Sequence, residues 1–233
     1  MIELESITKW YRNGRSRVFV LRQIDLTIDE GAFVTVMGPS GAGKSTMLHI
    51  MGLLEEPSKG SYRFAGTPVD AMRADQKTEL HRTQIGFVFQ AYHLIDDLTV
   101  YENLETPLLY QGLPRSERKS RVADMLDRFN IVAKKDLFPH QLSGGQQQLV
   151  GVARALIIKP RVILADEPTG NLQSQQSEAI METLRHLNHE DGVTIVQGTH
   201  SEKQAQYGDR IVELSDGWID ADYSVQMAMS NGQ

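Results

Sequence analysis

Gly38-Pro39-Ser40-Gly41-Ala42-Gly43-Lys44-Ser45 decides the fold. The pattern G-x-x-x-x-G-K-[ST] describes a loop that wraps an oligophosphate. Its glycines let successive backbone N–H groups turn inward, and the helix that follows adds the positive end of its dipole. The flanks agree with this. Ala32 to Met37 reads as a short buried strand, and Thr46 to Leu54 reads as a helix leaving the loop. In such a loop Lys44 reaches the β- and γ-phosphates and the Ser45 hydroxyl ligates Mg²⁺. With a strand before it and a helix after it, a chance Gly/Ser turn is a poor alternative. The loop alone does not separate kinases, GTPases and transport ATPases.

Composition narrows the choice. At 233 residues and 40% hydrophobic content the chain can bury a large core. A formal net charge of −6 argues against a general nucleic-acid binder, which is usually basic. Cysteine is absent, which excludes disulfides, thiolate metal sites and cysteine nucleophiles. The acidic start Met1-Ile2-Glu3-Leu4-Glu5 lacks the apolar stretch of a secretory signal. No apolar run approaches the ~20 residues needed to span a bilayer. A membrane task therefore calls for a membrane part on another chain.

Further along, Ile24, Leu26 and Ile28 alternate with polar residues as in a half-buried strand. Lys9 to Gly14 reads as an edge or loop. Its Tyr11 could stack on a purine, although a plain core or rim aromatic is the commoner outcome. Ser61 to Gly66 reads as a short strand that adds an antiparallel patch beside a parallel core. Asp75 to Thr83 reads as helix. Ile85 to Phe89 is a buried strand ending at Gln90, where such a strand meets a ligand or simply ends. Thr99 and Glu102 have capping-box spacing, and Val122, Met125, Leu126 and Phe129 fall on one helical face. The stretch from Gln90 to about Arg154 is thus a mostly helical insertion.

Ser143-Gly144-Gly145-Gln146 opens another capped helix, and read alone it is no more than that. Arg161 to Ala165 leads into Asp166-Glu167. An Asp at a strand end beside a phosphate loop is the usual second Mg²⁺ anchor, and an adjacent Glu can deprotonate the attacking water. Val193 to Val196 is a strand leading to Thr199-His200. A lone His is more often structural, so His200 gains weight only from its company. Arg210 to Leu214 reads as the last strand, turned at Ser215-Asp216-Gly217. Residues 221–233 read as a loose tail.

Taken in order, these motifs resemble the ATP-binding subunit of an ABC transporter over about residues 2–220. Leu142-Ser143-Gly144-Gly145-Gln146 at this distance after the phosphate loop carries the likeness furthest. Phe89 to Ile95, Leu98 to Leu104 and Glu167 to Leu172 are similar to the group of lipoprotein-release, macrolide-efflux and antimicrobial-peptide exporters, which includes a cell-division ATPase. The resemblance implies an α/β fold: a P-loop NTPase, RecA-like parallel core with an antiparallel β subdomain and a helical subdomain inserted at about 91–155. One ATPase domain then fills 1–220. It implies ATP and Mg²⁺ as ligands and ATP hydrolysis as the reaction. Tyr11 would stack on adenine. Gly38, Ser40, Gly41, Ala42, Gly43, Lys44, Ser45 and Thr46 would cradle phosphates. Ser45, Gln90 and Asp166 would serve the metal. Glu167 would be the base and His200 the γ-phosphate sensor, with Gln90 completing the catalytic set. Ser143, Gly144, Gly145 and Gln146 would close over ATP held by a second protomer.

Transmembrane permease subunits are the implied partners, with the chain peripheral on the cytoplasmic face of the membrane and no nucleic acid involved. The alternative within the same group is a mechanotransmission ATPase that signals through a membrane partner without transport. Soluble ABC ATPases of DNA repair carry a long coiled coil between the two nucleotide motifs, and those of translation carry two ATPase domains. This chain has about a hundred residues between Lys44 and Ser143, no sustained heptads and one phosphate loop. It departs from the family pattern at Gln173 and Ser201, where Asp is usual, at Gln197-Gly198 in place of an apolar strand end, and at Leu149 in place of Arg.

Overall fold

The computed structural model describes residues 1–14 and 16–225. The chain opens with a long hairpin of β1 (Ile2–Asn13) and β2 (Ser16–Ile28), then enters the interior as β3 (Phe33–Met37) and leaves it as α1 (Lys44–Met51). Next come β4 (Lys59–Phe64), β5 (Thr67–Pro68), α2 (Ala74–Gln84) and β6 (Ile85–Phe89). Three helices follow: α3 (Val100–Tyr110), α4 (Arg115–Arg128) and α5 (Gly144–Leu156). The chain then alternates through β7 (Val162–Asp166), α6 (Ser174–Asp191), β8 (Thr194–Thr199) and α7 (Glu202–Ala205), and ends in β9 (Arg210–Ser215) and β10 (Trp218–Ser224).

Two sheets result. One is antiparallel, ordered β2-β1-β4-β5, and the other is ordered β10-β9-β3-β8-β7-β6 with β9, β3, β8, β7 and β6 parallel. The parallel strands are apolar at nearly every position because both faces are covered. In β7, Val162 and Leu164 face the core shared with α1 and the antiparallel sheet, whereas Ile163 and Ala165 face the core shared with α3, α4, α5 and α6. The expected α/β core, antiparallel patch and helical insertion are all present.

The segment around Tyr11 is the edge that the sequence reading allowed: it is the far end of β1, paired with β2 as Tyr11↔Val18 and beyond the last β4 partner, Thr8↔Lys59. Two boundaries differ from the sequence reading. The helix after the phosphate loop begins at Lys44, two residues early, because Gly43 takes a left-handed conformation (φ 109°) and turns the chain directly into the first helical turn. Residues 221–224 are not loose. They continue β10, which pairs antiparallel with β9, and Arg210 holds Asp222 through Nε (2.6 Å) and a terminal nitrogen (2.5 Å). Residues 226–233 lie outside the described residues.

Asn103 anchors the helical part. It is buried on α3; its Oδ1 accepts from the Ile95 N–H (2.8 Å), and its Nδ2 donates to the carbonyls of Ile95, Leu98 and Thr99. One side chain therefore folds the approach to α3 back onto the helix. Asn103→Ala leaves these backbone groups without partners and should lower unfolding free energy by about 2 kcal/mol or more. An unchanged urea midpoint would show that the loop finds other partners.

Candidate active site

Parallel strands leave a sheet at the same edge, so whatever follows them converges there. The register makes this specific. Val36 stands opposite Gly198, Gly198 opposite Asp166, and Asp166 opposite Phe89. Gln90, Glu167 and the turn into His200 therefore emerge beside the phosphate loop. They meet in a cleft of about 660 Å³ whose walls include Lys44, Ser45, Gln90, Glu167 and His200.

The loop needs its glycines at two places for steric reasons. A Cβ on Gly38 would stand 2.1 Å from the Leu214 carbonyl oxygen, and one on Gly43 would stand 2.8 Å from the Val20 carbonyl oxygen. Gly41 also has positive φ (83°), yet a Cβ there would touch nothing. Ala42 is buried beneath the loop, whereas Ser40 and Gly41 are exposed. Lys44 is buried, with its Nζ donating to the carbonyls of Gly38 (2.8 Å) and Pro39 (3.0 Å) and lying 3.5 Å from Glu167 Oε1. It is a fixed cation at the cleft floor.

Ser45 donates to Asp166 Oδ1 (3.0 Å). Burial pushes the Asp166 carboxyl above its ordinary pKa, against the lowering effect of the Ser45 hydrogen bond. Two hard oxygen donors thus meet where Mg²⁺, which uses one or two carboxylates with substrate phosphates, finds a suitable donor set. Glu167 has φ 46°, an uncommon conformation for a non-glycine residue, and its N–H donates to the Gly198 carbonyl (3.0 Å). Its carboxylate oxygens lie 3.0 and 3.1 Å from His200 Nδ1. Gln90 Nε2 donates to Asn171 Oδ1 (3.3 Å), and Asn171 Nδ2 returns a bond to the Gln90 carbonyl (3.1 Å).

Two sets of expected residues lie outside this cleft. Tyr11 is exposed beyond it; its hydroxyl donates to Glu55 Oε1 (2.5 Å) beside Thr46, and Lys9 Nζ sits 5.1 Å from its ring. Burial and the Glu55 bond raise its pKa. Trp10 turns the other way, toward Phe19 and Arg17. Ser143, Gly145 and Gln146 line a separate cavity of about 630 Å³ with Leu149. There the capping box is formed: Ser143 N–H donates to Gln146 Oε1 (3.0 Å), and Gln146 N–H donates to Ser143 Oγ (3.4 Å).

The family model described as ABC transporter matches residues 21–170, from β2 through the turn after β7. The chain belongs to the ABC transporter family. It is an ATP-hydrolysing member, with ATP and ADP as its nucleotides. Among relatives, it is 48% identical over 223 residues to the macrolide export ATP-binding/permease protein MacB of Nitrosomonas europaea, covering 95% of this chain and 34% of that one. The chain thus spans about a third of the length of its MacB relatives. An ABC transporter ATP-binding protein of Methanocaldococcus jannaschii is 42% identical over 219 residues, 94% of this chain and 97% of that one. Among solved structures, the dimeric post-hydrolysis state of an ATP-binding cassette bound to ADP and Pi superposes with a TM-score of 0.89 at 41% identity, covering 97% of this chain and 99% of that one.

The departures of this ABC ATPase from the family pattern have local explanations in part. Gln197 is buried, and its Nε2 donates to Thr35 Oγ1 (2.8 Å) and the Gln204 carbonyl (2.9 Å). A Cβ on Gly198 would come within 3.5 Å of both Asp166 Oδ1 and Lys44 Cβ. Ser201 caps α7 by accepting from Gln204 N–H (3.4 Å). Gln173 precedes α6 without a side-chain cap. Sequence reasoning missed Val20, which walls the cleft from β2, and the Asn171 clamp on Gln90. The apolar run Val18 to Leu21 was the available signal for the first.

Gly43→Ala and Gly41→Ala separate steric contact from backbone strain. Both residues have positive φ, but only Gly43 has β2 against it. Titration with ADP by calorimetry should show affinity abolished in Gly43→Ala and merely weakened in Gly41→Ala. Equal losses would mean that the β2 contact is unimportant.

Proposed function

We propose that this chain powers a membrane permease, in a system that exports lipoproteins, peptides or drugs, by Mg²⁺-dependent ATP hydrolysis between two copies. The observation that carries the reading is the convergence of Lys44, Ser45, Glu167 and His200 on one cleft, with Asp166 bonded to Ser45 beside it. The MacB names join an ATP-binding part to a permease, which supports the membrane partner. The export cargo is inferred from that likeness. None of the described helices is long and apolar enough to cross a membrane. The site we assign to this work is the cytoplasmic face of the membrane.

Each side chain has a task in this reading. Lys44 neutralises charge on the β- and γ-phosphates. Ser45 and Asp166 would hold Mg²⁺, with Gln90 as a further oxygen donor; bound there, Mg²⁺ would supply charge stabilisation to the phosphates. Glu167 takes the proton of the attacking water. His200 donates from Nδ1 to Glu167 in the pair seen here, so in a neutral ring Nε2 can only accept. A phosphate oxygen also only accepts. His200 therefore reaches the γ-phosphate by moving Nδ1–H from Glu167 or by carrying a second proton. Tyr11 would stack on adenine from beyond the loop.

Ser143, Gly144, Gly145 and Gln146 do not line their own chain's cleft, and the solved relatives are dimeric. Both facts support closure of this segment over ATP in a second copy. The permease has a place as well. Between α2, β6 and α3 runs a groove of about 400 Å³ that includes Phe87, Phe89, Pro107 and Tyr110. Tyr110 is 71% exposed. Phe89 lines this groove and the next residue, Gln90, lines the nucleotide cleft, so pressure on one is felt at the other.

Glu167→Gln should bind ATP, lose roughly 10²–10⁴-fold in hydrolysis and accumulate as a dimer on size exclusion. Hydrolysis at the parent rate would remove Glu167 as base. Tyr11→Ala should weaken ATP by about tenfold through the lost stacking contact. Trp10→Ala should act on thermal stability instead, and the reverse pattern would exchange their roles.

A further inference from the structure

Behind the Glu167–His200 pair lies a second cavity of about 300 Å³. Glu167 and His200 belong to the walls of both this cavity and the nucleotide cleft, so their contact is the partition between the two. On the far side the walls are hydroxylic. Thr169, Ser174 and Ser177 come from the turn after β7 and the start of α6, and Ser201 comes from the turn after β8. Thr169 is 3% exposed, and its Oγ1 has no hydrogen-bond partner among the described residues. The first N–H groups of α6 have no side-chain cap from Gln173.

The charge of this cavity is unusual for the sequence pattern around it. The carboxylates in its walls, Glu167 and Glu178, are each engaged: Glu167 by His200 and Lys44, Glu178 by Lys203. Ser201 and Gln173 stand at or beside the cavity where the family resemblance implies Asp. A doubly charged oxyanion is opposed by unpaired carboxylates and stabilised by hydroxyl donors and free N–H groups, and Lys203 lessens the opposition by staying paired with Glu178.

We propose that this cavity is a binding site for inorganic phosphate, and that it receives the phosphate split from ATP before ADP leaves the cleft. The inference rests on the reading of Glu167 and His200 as the groups facing the γ-phosphate. In hydrolysis the water oxygen bonds to Pγ as the bond from Pγ to the bridging oxygen of ADP breaks, and the water's proton passes to Glu167. The product phosphate then lies against the Glu167–His200 partition. Once that pair parts, the hydroxyls of Thr169, Ser174 and Ser201 are the next donors it meets, whereas Ser177 already donates to the Gln173 carbonyl (3.1 Å). Lys203 stands at the solvent side, 70% exposed.

The test uses the full chain in single-turnover hydrolysis, with ATP cleavage followed by rapid quench and free phosphate by a fluorescent sensor. Ser201→Asp and Ser201→Asn both keep a capping side chain on α7, so they differ in charge alone. Release in Ser201→Asp should lag cleavage by at least about tenfold, because an added like charge a few ångströms from the anion opposes it by more than that in a partly buried site. Ser201→Asn should release phosphate as the parent does. Lys203→Gln, on the surface, should also slow release and weaken inhibition by added inorganic phosphate. Equal release from the Asp and Asn variants would overturn the proposal. Equal slowing of cleavage and release in Ser201→Asp would also overturn it, because Ser201 would then act on His200. A parent protein that cleaves no ATP would instead sink the catalytic reading on which the site depends.

Discussion

The ladder row Val36–Gly198–Asp166–Phe89 is the constraint on which the site depends. Four strands from distant parts of the chain end within a residue or two of this row. Whatever leaves them, whether loop, Gln90, Glu167 or His200, must share one small volume. A slip of one residue in β7 would reverse its faces and send Asp166 into a core. That slip is opposed from both sides, because Val162 and Leu164 fill one core while Ile163 and Ala165 fill the other. Catalytic geometry here is therefore fixed by hydrophobic packing some distance from the chemistry.

Local strain is stored at the same row. Glu167 occupies the left-handed region, which costs a non-glycine residue on the order of 1–3 kcal/mol. Its N–H bond to the Gly198 carbonyl and the approach of Lys44 and His200 to its carboxylate hold it there. The strained turn aims the carboxylate across the cleft instead of along the strand. A residue with relaxed backbone at this position would continue toward the turn at Pro168. At Gly198 a Cβ would stand 3.1 Å from Leu48 Cδ1 and in ordinary contact with Asp166 and Lys44, so the glycine makes room for α1.

Sequence carried the parallel core well because its strands are apolar on both faces and end in polar residues of marked type. It carried the phosphate loop and the Asp166-Glu167 turn for the same reason. It failed where pairing, not composition, creates structure. The outer half of the β1–β2 hairpin is exposed and shows no clean alternation, so the pairing of Tyr11 with β2 and the place of Val20 could not be read from sequence. β10 is an edge strand held largely by β9 and by the Arg210–Asp222 and Tyr223–Glu213 contacts. These are long-range facts that a local reading does not contain. The hydroxyl-lined cavity behind Glu167 was invisible too, because it joins segments on either side of α6.

Gln197 shows how a departure from an apolar pattern becomes tolerable. A fully buried amide in a central strand is destabilising unless its polar atoms find partners, and here the Oε1 of Gln197 has none among the described residues while the nitrogen is fully used. Both Nε2 hydrogens are placed here, one on Thr35 Oγ1 in β3 and one on the Gln204 carbonyl in α7. Gln204 in turn accepts from Thr199 Oγ1 (2.9 Å), and Thr199 Oγ1 accepts from the Ser201 N–H (3.1 Å). The network runs from the strand that feeds the phosphate loop to both sides of His200. An apolar residue at 197 would fill the space but remove both bonds; Thr35 Oγ1 would keep its bond to the Ala205 carbonyl (3.1 Å), and α7 would be tied to the sheet by fewer bonds. The polar pair at 197 and 198 thus does two opposite things at one strand end: the amide fastens the turn that carries His200, and the glycine leaves room for the Leu48 side chain of α1.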